Sequence, residues 1–286
     1  MEIMLDERAL TLADVPAAFG LSTEVHWNQS PADWEMLLEL GRGFALLGPG
    51  GAIVATAVVL PYERRFAWIG TVIVTEAFRR RGLATQLLNR CIATIVESGA
   101  VPILDATPAG REVYSKLGFL DTWELQRYVG AGAPVTEEPD AAVHVRRMTL
   151  RDLELLFVSD AETFGADRSA LLRCLLERKP EAALVAERPD GVLAGMAFER
   201  VGRTATQIGP VAADDAKIAL ALIAHAVNNN AGALMIDVPL EHVAVNAWLE
   251  ARGFAVQRPF MRMQHGKPEP YGRIDRTFAI AGPEIG

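Results

Sequence analysis

The chain has 286 residues, half of them hydrophobic and 22% charged. That is enough apolar content for two domains of ordinary size and too much for a disordered chain. A formal net charge of −8 argues against a general nucleic-acid binder, which would show a basic face. Two cysteines, Cys91 and Cys174, exclude a disulfide framework, and no cysteine or histidine stands in a metal-ligand spacing, so no metal is expected.

The N-terminal "MEIMLDERAL" is acidic and lacks the basic and apolar segments of a signal peptide. A cytoplasmic protein, monomer or homodimer, is expected. "TLADVPAAF" and "SPADWEMLLEL" read as helices, the second with Ser30 as N-cap, Pro31 in the first turn and Trp34 in the core. The connection between them carries Glu24, His26, Trp27 and Asn28, a polar and aromatic cluster that the helix signals do not explain. "GFALLGPGGAIVATAVVL" is the longest apolar run, but "GPGG" breaks it into a β-hairpin, so no membrane span is expected.

"AWIGTVIV" is a nearly continuous β-branched run and reads as a buried strand. Beyond Gly82, the residues Leu83, Leu87, Leu88, Cys91, Ile92 and Ile95 repeat at helical spacing on one face, and Cys91 reads as a buried, inert thiol. Arg79–Ala84 therefore turn from a buried strand into a helix N-terminus. Such a terminus has unsatisfied N–H groups and a partial positive charge that attract phosphate. Gly82 and Ala84 leave room for a pyrophosphate, and Arg79, Arg80 and Arg81 add charge. "VPILDA" is the next strand, followed by a helix ending "LGF" and a strand "WELQRYV". Asp105, at the end of "VPILDAT", can cap the turn that follows it.

"VGAGAPVTEEPDAA" is rich in Gly, Ala, Pro and acid and reads as a linker. After it the same order of elements returns: opening helices in "TLRDLELLFVSD" and "SALLRCLLERKP", a hairpin in "AALVAERPDGVLAGMAFE", the strand "TATQIGPVA", a helix, the strand "ALMIDVP", a helix ending "RGF" and the strand "QRPFMRMQ". This is an internal duplication with a period too long for a solenoid. The expected fold class is α+β, as tandem domains over 1–130 and 143–286 joined by a linker at 131–142.

"VTEAFRRRGLA" resembles the pyrophosphate-binding motif of the GNAT acetyltransferases, Arg/Gln-x-x-Gly-x-Gly/Ala, here Arg79, Gly82 and Ala84. "REVYSKLGF" resembles the family's second motif, a tyrosine four residues before Gly-Phe. The whole chain looks like the two-domain branch of that family. Each domain is then expected to have a mixed, mostly antiparallel central sheet flanked by helices, the second being a diverged GNAT-like fold.

The resemblance implies acetyl-CoA as cosubstrate and direct transfer of its acetyl group to an amine. The pantetheine arm would lie along Val72, Ile73 and Val74, with the Val74 N–H polarising the thioester carbonyl. The pyrophosphate would sit on the turn from Arg79 through Arg80, Arg81, Gly82, Leu83 and Ala84 to Thr85. Tyr114 matches the general acid that protonates the leaving thiolate, although the same tyrosine can simply pack its ring in the core.

The strand before the phosphate loop has no carboxylate, which departs from many family members. Asp105, His26 and a water chain remain as candidate bases. Glu24, His26, Trp27 and Asn28 stand where the family's acceptor pocket is bordered, with Glu24 expected to attract an amine.

In the second half Leu249 takes the place of Tyr114, and Asp214 and Asp215 stand where the first half has its arginines. That half is expected not to bind CoA. It is expected to pack, or to supply an acceptor wall through Phe260, Arg262 and Tyr271. The leading expectation is a small-molecule N-acetyltransferase. Acetylation of a protein N-terminus or lysine, and a non-catalytic acyl-CoA sensor, are the alternatives.

Overall fold

The computed structural model describes residues 5–132 and 142–286, so most of the expected linker lies outside the described residues. Two compact units are present. Unit 1 runs to Asp121 and also includes Met263–Pro268 and Ile285. Unit 2 holds Thr122–Arg262, Glu269–Glu284 and Gly286. The division between them thus falls inside a strand, at Asp121/Thr122, and each unit takes in residues from the far part of the chain.

Unit 1 begins with β1 (Asp6–Ala9), α1 (Val15–Glu24) and α2 (Pro31–Leu40), then β2 (Arg42–Leu47), β3 (Ile53–Tyr62) and β4 (Phe66–Val74). It continues with α3 (Leu83–Glu97), β5 (Val101–Ala106), α4 (Pro108–Lys116) and the start of β6 (Phe119–Ala131). The sheet order is β1-β2-β3-β4-β5, antiparallel except for the parallel β4–β5 pair. The expected helix signals hold locally: Ser30 caps α2 by accepting from the Asp33 N–H, Pro31 is the first helical residue, and Trp34 is fully buried. α3 lays Leu83, Leu87, Leu88, Cys91 and Ile95 on the sheet, all buried. Burial pushes the Cys91 thiol up to about 12, which leaves it unreactive, as its apolar surroundings imply.

Unit 2 takes the rest of β6, then β7 (His144–Arg147), α5 (Leu150–Phe164), α6 (Ser169–Arg178), β8 (Leu184–Glu187), β9 (Leu193–Val201) and β10 (Thr206–Ala213). There follow α7 (Ala216–Asn228), β11 (Ala233–Pro239), α8 (Val243–Ala251), β12 (Ala255–His265, whose residues from Met263 on belong to unit 1) and β13 (Thr277–Ala279). Its sheet runs β12-β6-β11-β10-β9-β8-β7, with β13 added to β10. The core lies between this sheet and α7, where Ile218, Leu222, Ile223 and Val227 meet Ile208, Val211 and Ile236.

The two units use the same opening device. In unit 1 Arg8 grips Asp14 with two hydrogen bonds, and the same carboxylate accepts from the backbone and side chain of Thr11. In unit 2 Arg146 grips Asp152 and Thr149 completes the cap in the same way. The spacing Arg-x-x-Thr-Leu-x-Asp is identical at residues 8–14 and 146–152.

Candidate active site

The middle of unit 1 is organised by a break in strand pairing. β4 and β5 pair in parallel only from Phe66↔Val101 to Trp68↔Ile103, although β4 continues to Val74 and β5 to Ala106. On its other side β4 shifts register against β3 between Thr56↔Ile73 and Val58↔Gly70. At that bulge Thr71 takes a left-handed φ of 49°, a costly conformation for a β-branched residue. A bulge bends its strand and increases its twist, so the end of β4 leaves β5 and a slot opens between them. Val72 and Val74 border it half-buried, while Ile73 packs in the core. Strand backbone at such an edge can hydrogen-bond an extended ligand without disturbing the side-chain packing.

β4 leads into a short 3₁₀ turn at Glu76–Phe78 and then the arginine loop. Arg80 has φ 59° and Gly82, at the N-cap of α3, has φ 81°. No side chain caps α3 at Gly82, and the first helical hydrogen bond runs from Gln86 N–H to Gly82 O. The N–H groups of Leu83, Ala84 and Thr85 thus open the helix, the arrangement that binds phosphate.

The three arginines are exposed. Arg79 donates Nε–H to the Val74 carbonyl at 3.1 Å, and Arg81 reaches back to the Ala77 carbonyl at 2.8 Å while lying over the Phe78 ring. The cradle therefore fits a CoA pyrophosphate: open N–H groups, a left-handed glycine and three cations on one turn.

Glu24 does not stand open toward an acceptor, as the sequence suggested. Its carboxylate accepts from the Glu76 N–H at 2.7 Å and from the Thr75 hydroxyl at 2.8 Å, and Arg79 lies 3.9 Å away. The Glu76 N–H above all, then the Thr75 hydroxyl, hold its pKa below the usual carboxylate value. The rest of the connection is pinned by backbone: Trp27 N–H bonds the Ser22 carbonyl, and His26 makes the bend with φ 57°. His26 is exposed, and Trp27 and Asn28 are half-buried.

Tyr114 lies on α4, where its ring meets that of Phe119 at a tilt of 57°, with centroids 6.2 Å apart. It folds back over its own helix so closely that a Cβ on Gly110 would lie 2.9 Å from the ring. Desolvation raises its phenol to about 12, so it stays protonated through the neutral range. Asp105 is half-buried on β5, but the cap expected from it is made by Thr107, whose hydroxyl accepts from the Gly110 N–H. The carboxylate side chain is two positions too early, inside the strand.

Sequence reasoning missed Thr71 and Thr75. An isolated glycine before Thr71, Gly70, was the available signal for a bulge. Nothing in the sequence pairs Thr75 with a helix end 51 positions away.

The corresponding region of unit 2 is closed by the chain itself. β10 and β11 also pair in parallel only briefly, from Thr206↔Leu234 to Ile208↔Ile236. β13 then takes the freed edge of β10 through Val211↔Ala279 and Ala212↔Thr277, and the Ile280 N–H donates to the Asp237 carbonyl on β11. A Cβ on Gly209 would lie 2.0 Å from the Ile280 carbonyl, so only glycine admits that segment. The N-terminus of α7 is taken by the Asp215 carboxylate, which accepts from the Lys217 and Ile218 N–H groups. Leu249, aligned with Tyr114, is fully buried. Phe260 packs with Leu125 and Ile280, Arg262 stacks on Trp123 at 4.0 Å, and Tyr271 is half-buried.

Among the described residues no cluster of His, Cys, Asp and Glu could hold a metal ion, and no helix is long and apolar enough to cross a membrane.

Residues 13–119 match the family model for the acetyltransferase (GNAT) family, and residues 156–279 match a second model, for an acetyltransferase (GNAT) domain. An uncharacterised N-acetyltransferase of Bacillus subtilis (strain 168), YitH, is 29% identical over 255 residues, 88% of each chain. A Pyrococcus horikoshii protein assigned as an acetyltransferase superposes with a TM-score of 0.81 at 20% identity, covering 99% of this chain and 96% of that one. A tandem GNAT protein from the clavulanic acid biosynthesis pathway gives 0.64 at 13% identity, over 93% and 100% of the two chains. A GCN5-related N-acetyltransferase from Sphaerobacter thermophilus gives 0.64 at 15%, over 94% and 98%.

Proposed function

Because the chain belongs to the GNAT acetyltransferases and transfers acetyl groups from acetyl-CoA, we propose that unit 1 alone carries the reaction and that the acceptor is the amine of a small molecule. The observation that carries this reading is the difference between the two slots. Among the described residues no strand pairs with the edge of β4 beyond Trp68 on the β5 side, whereas the matching edge of β10 is occupied by β13.

The pantetheine arm lies along Val72–Val74, with the Val74 N–H on the thioester carbonyl. The diphosphate takes the N–H groups of Gly82–Thr85 among Arg79, Arg80 and Arg81. The acceptor enters beside His26, Trp27 and Asn28. The amine nitrogen bonds to the acetyl carbon, the carbon–sulfur bond breaks, and Tyr114 protonates the departing thiolate. The base is His26, Asp105 or a water chain. Reaction in a ternary complex follows from direct attack, with no nucleophilic side chain required.

A calorimetric titration with acetyl-CoA tests the assignment. One site per chain is expected, lost in Gly82→Asp. Two sites would overturn the closed second unit, and retention of binding in Gly82→Asp would overturn the loop assignment. The small-molecule acceptor is tested by an amine panel run against a peptide panel. Turnover confined to peptides would replace it with protein acetylation.

A further inference from the structure

We infer that Glu24 is a positioning residue for acetyl-CoA: from the end of α1 it caps the turn that precedes the pyrophosphate loop and so sets the loop's geometry. The inference rests on the assignment of residues 79–85 as the phosphate cradle.

The 3₁₀ turn Glu76–Phe78 has Thr75 at its N-cap, and Thr75 makes no side-chain cap there. Its hydroxyl is turned outward to Glu24, at 2.8 Å and 3.1 Å from the two carboxylate oxygens. The turn's first N–H, that of Glu76, is accepted instead by Glu24 at 2.7 Å. A carboxylate from 52 residues away thus does the work that a capping side chain normally does locally. Charge suits the place, because the first N–H groups of a helical turn carry partial positive charge.

The same carboxylate lies 3.9 Å from the Arg79 guanidinium, whose Nε–H is bonded to the Val74 carbonyl. Arg79 thereby ties the last residue of β4 to the loop, and Glu24 holds both that tie and the turn between. The end of the pantetheine edge and the start of the phosphate cradle are fixed relative to each other through one side chain. With both of its oxygens engaged, Glu24 is not a free anion for an amine. Because α1 leads directly into His26–Asn28, the contact also links the acceptor side of the site to the cofactor loop.

The roles of geometry and charge separate cleanly. In Glu24→Gln the amide oxygen still accepts from the Glu76 N–H, and the amide nitrogen can donate to the Thr75 hydroxyl. In Glu24→Ala both bonds are gone. Titrating acetyl-CoA into each variant of the full chain, Glu24→Ala is expected to bind about tenfold or more weakly, a loss of about 1.4 kcal/mol or more. Glu24→Gln is expected to stay within about threefold of the unaltered protein, and Thr75→Val to fall between them. Thermal midpoints are expected to be nearly unchanged, since Glu24 is exposed at a helix end.

Unchanged affinity in Glu24→Ala, with Gly82→Asp abolishing binding, would overturn the inference while leaving the loop assignment standing. A Glu24→Gln loss as large as that of Glu24→Ala would overturn it too, because the amide keeps both hydrogen bonds of the cap. If Glu24→Ala does not fold, Thr75→Val decides, and unchanged affinity there overturns it. Binding that survives Gly82→Asp would remove the loop assignment and this inference together.

Discussion

Thr71 has its hydroxyl buried with no hydrogen-bond partner among the described residues, and it is held at φ 49° in the middle of a strand. A buried unpaired hydroxyl costs about 1–3 kcal/mol, and replacing it by an apolar group of the same shape removes that cost. Thr71→Val keeps the branched shape and the same backbone strain, so it is expected to stabilise the chain by about 1 kcal/mol, raising the thermal midpoint by a few degrees. A fall in the midpoint would mean that the hydroxyl is satisfied in the folded state. Tyr114 is the other residue whose environment decides its role. With its phenol raised to about 12, it holds its proton at any pH an assay would use. Activity is therefore expected not to decline from loss of that proton below about pH 10. Tyr114→Phe is expected to lower kcat about tenfold or more while leaving acetyl-CoA affinity unchanged. The modest size follows from the ordinary thiol pKa near 8.5, which lets the thiolate leave without help. Unchanged kcat would return Tyr114 to a packing role. Neither environment was legible in the sequence: Tyr114 could be picked out by its spacing from Gly118-Phe119, but its desolvation depends on what folds around it.

At the scale of the element, the repeated Arg-x-x-Thr-Leu-x-Asp unit shows how duplication preserved a cap. The sequence placed helices in "TLADVPAAF" and "TLRDLELLFVSD". The grip of Arg8 on Asp14 and of Arg146 on Asp152 appears only when the short strands β1 and β7 deliver the arginines. The Arg146 guanidinium, then the Thr149 hydroxyl and N–H, hold the Asp152 carboxyl well below the usual carboxylate range. A depressed folded-state pKa gives stability that is present above the unfolded value, near 4, and lost as pH falls through the folded value. The urea midpoint is therefore expected to drop as pH is lowered below about 4. Asp152→Asn is expected to cost about 1 kcal/mol at neutral pH and to flatten that acid slope. An unchanged slope would place the acid sensitivity elsewhere. The helix starts α3 and α7 diverged in the opposite sense: one kept an open glycine at its N-cap, the other filled the position with Asp215.

For the whole molecule, the duplication leaves one chain with two copies of a splayed sheet and a different occupant foreseen for each. In unit 2 the occupant is the chain's own 277–281 segment, which supplies backbone hydrogen bonds to β10 and β11. In unit 1 the proposed occupant is acetyl-CoA. The expectation of a single acetyl-CoA per chain is thus a statement about both units, and the calorimetric stoichiometry reads both at once. The sequence pointed to a silent second half through Asp214, Asp215 and Leu249. The closing strand was not legible, because "DRTFAIAG" is too short to announce itself as a strand and its partner lies 68 positions earlier, at Val211↔Ala279.

What the sequence determined by itself is what depends on local pattern. The β-branched run of β4, the apolar face of α3, the Ser30 cap and the motif spacings at Arg79–Ala84 and Tyr114 all act through neighbours a few residues apart, so the elements and the family resemblance could be read directly. The tertiary structure decided what depends on pairing between distant segments. The bulge at Thr71 exists only in register with β3, the slot only because β5 stops following β4, and the closed slot of unit 2 only because β13 returns to it. Glu24 shows the difference most plainly. Its sequence position beside His26 and Trp27 suggested a free anion for an amine, but folding brings Thr75 and the Glu76 N–H to it. A buried or capping N–H must find an acceptor, and for Glu76 it came from the end of α1.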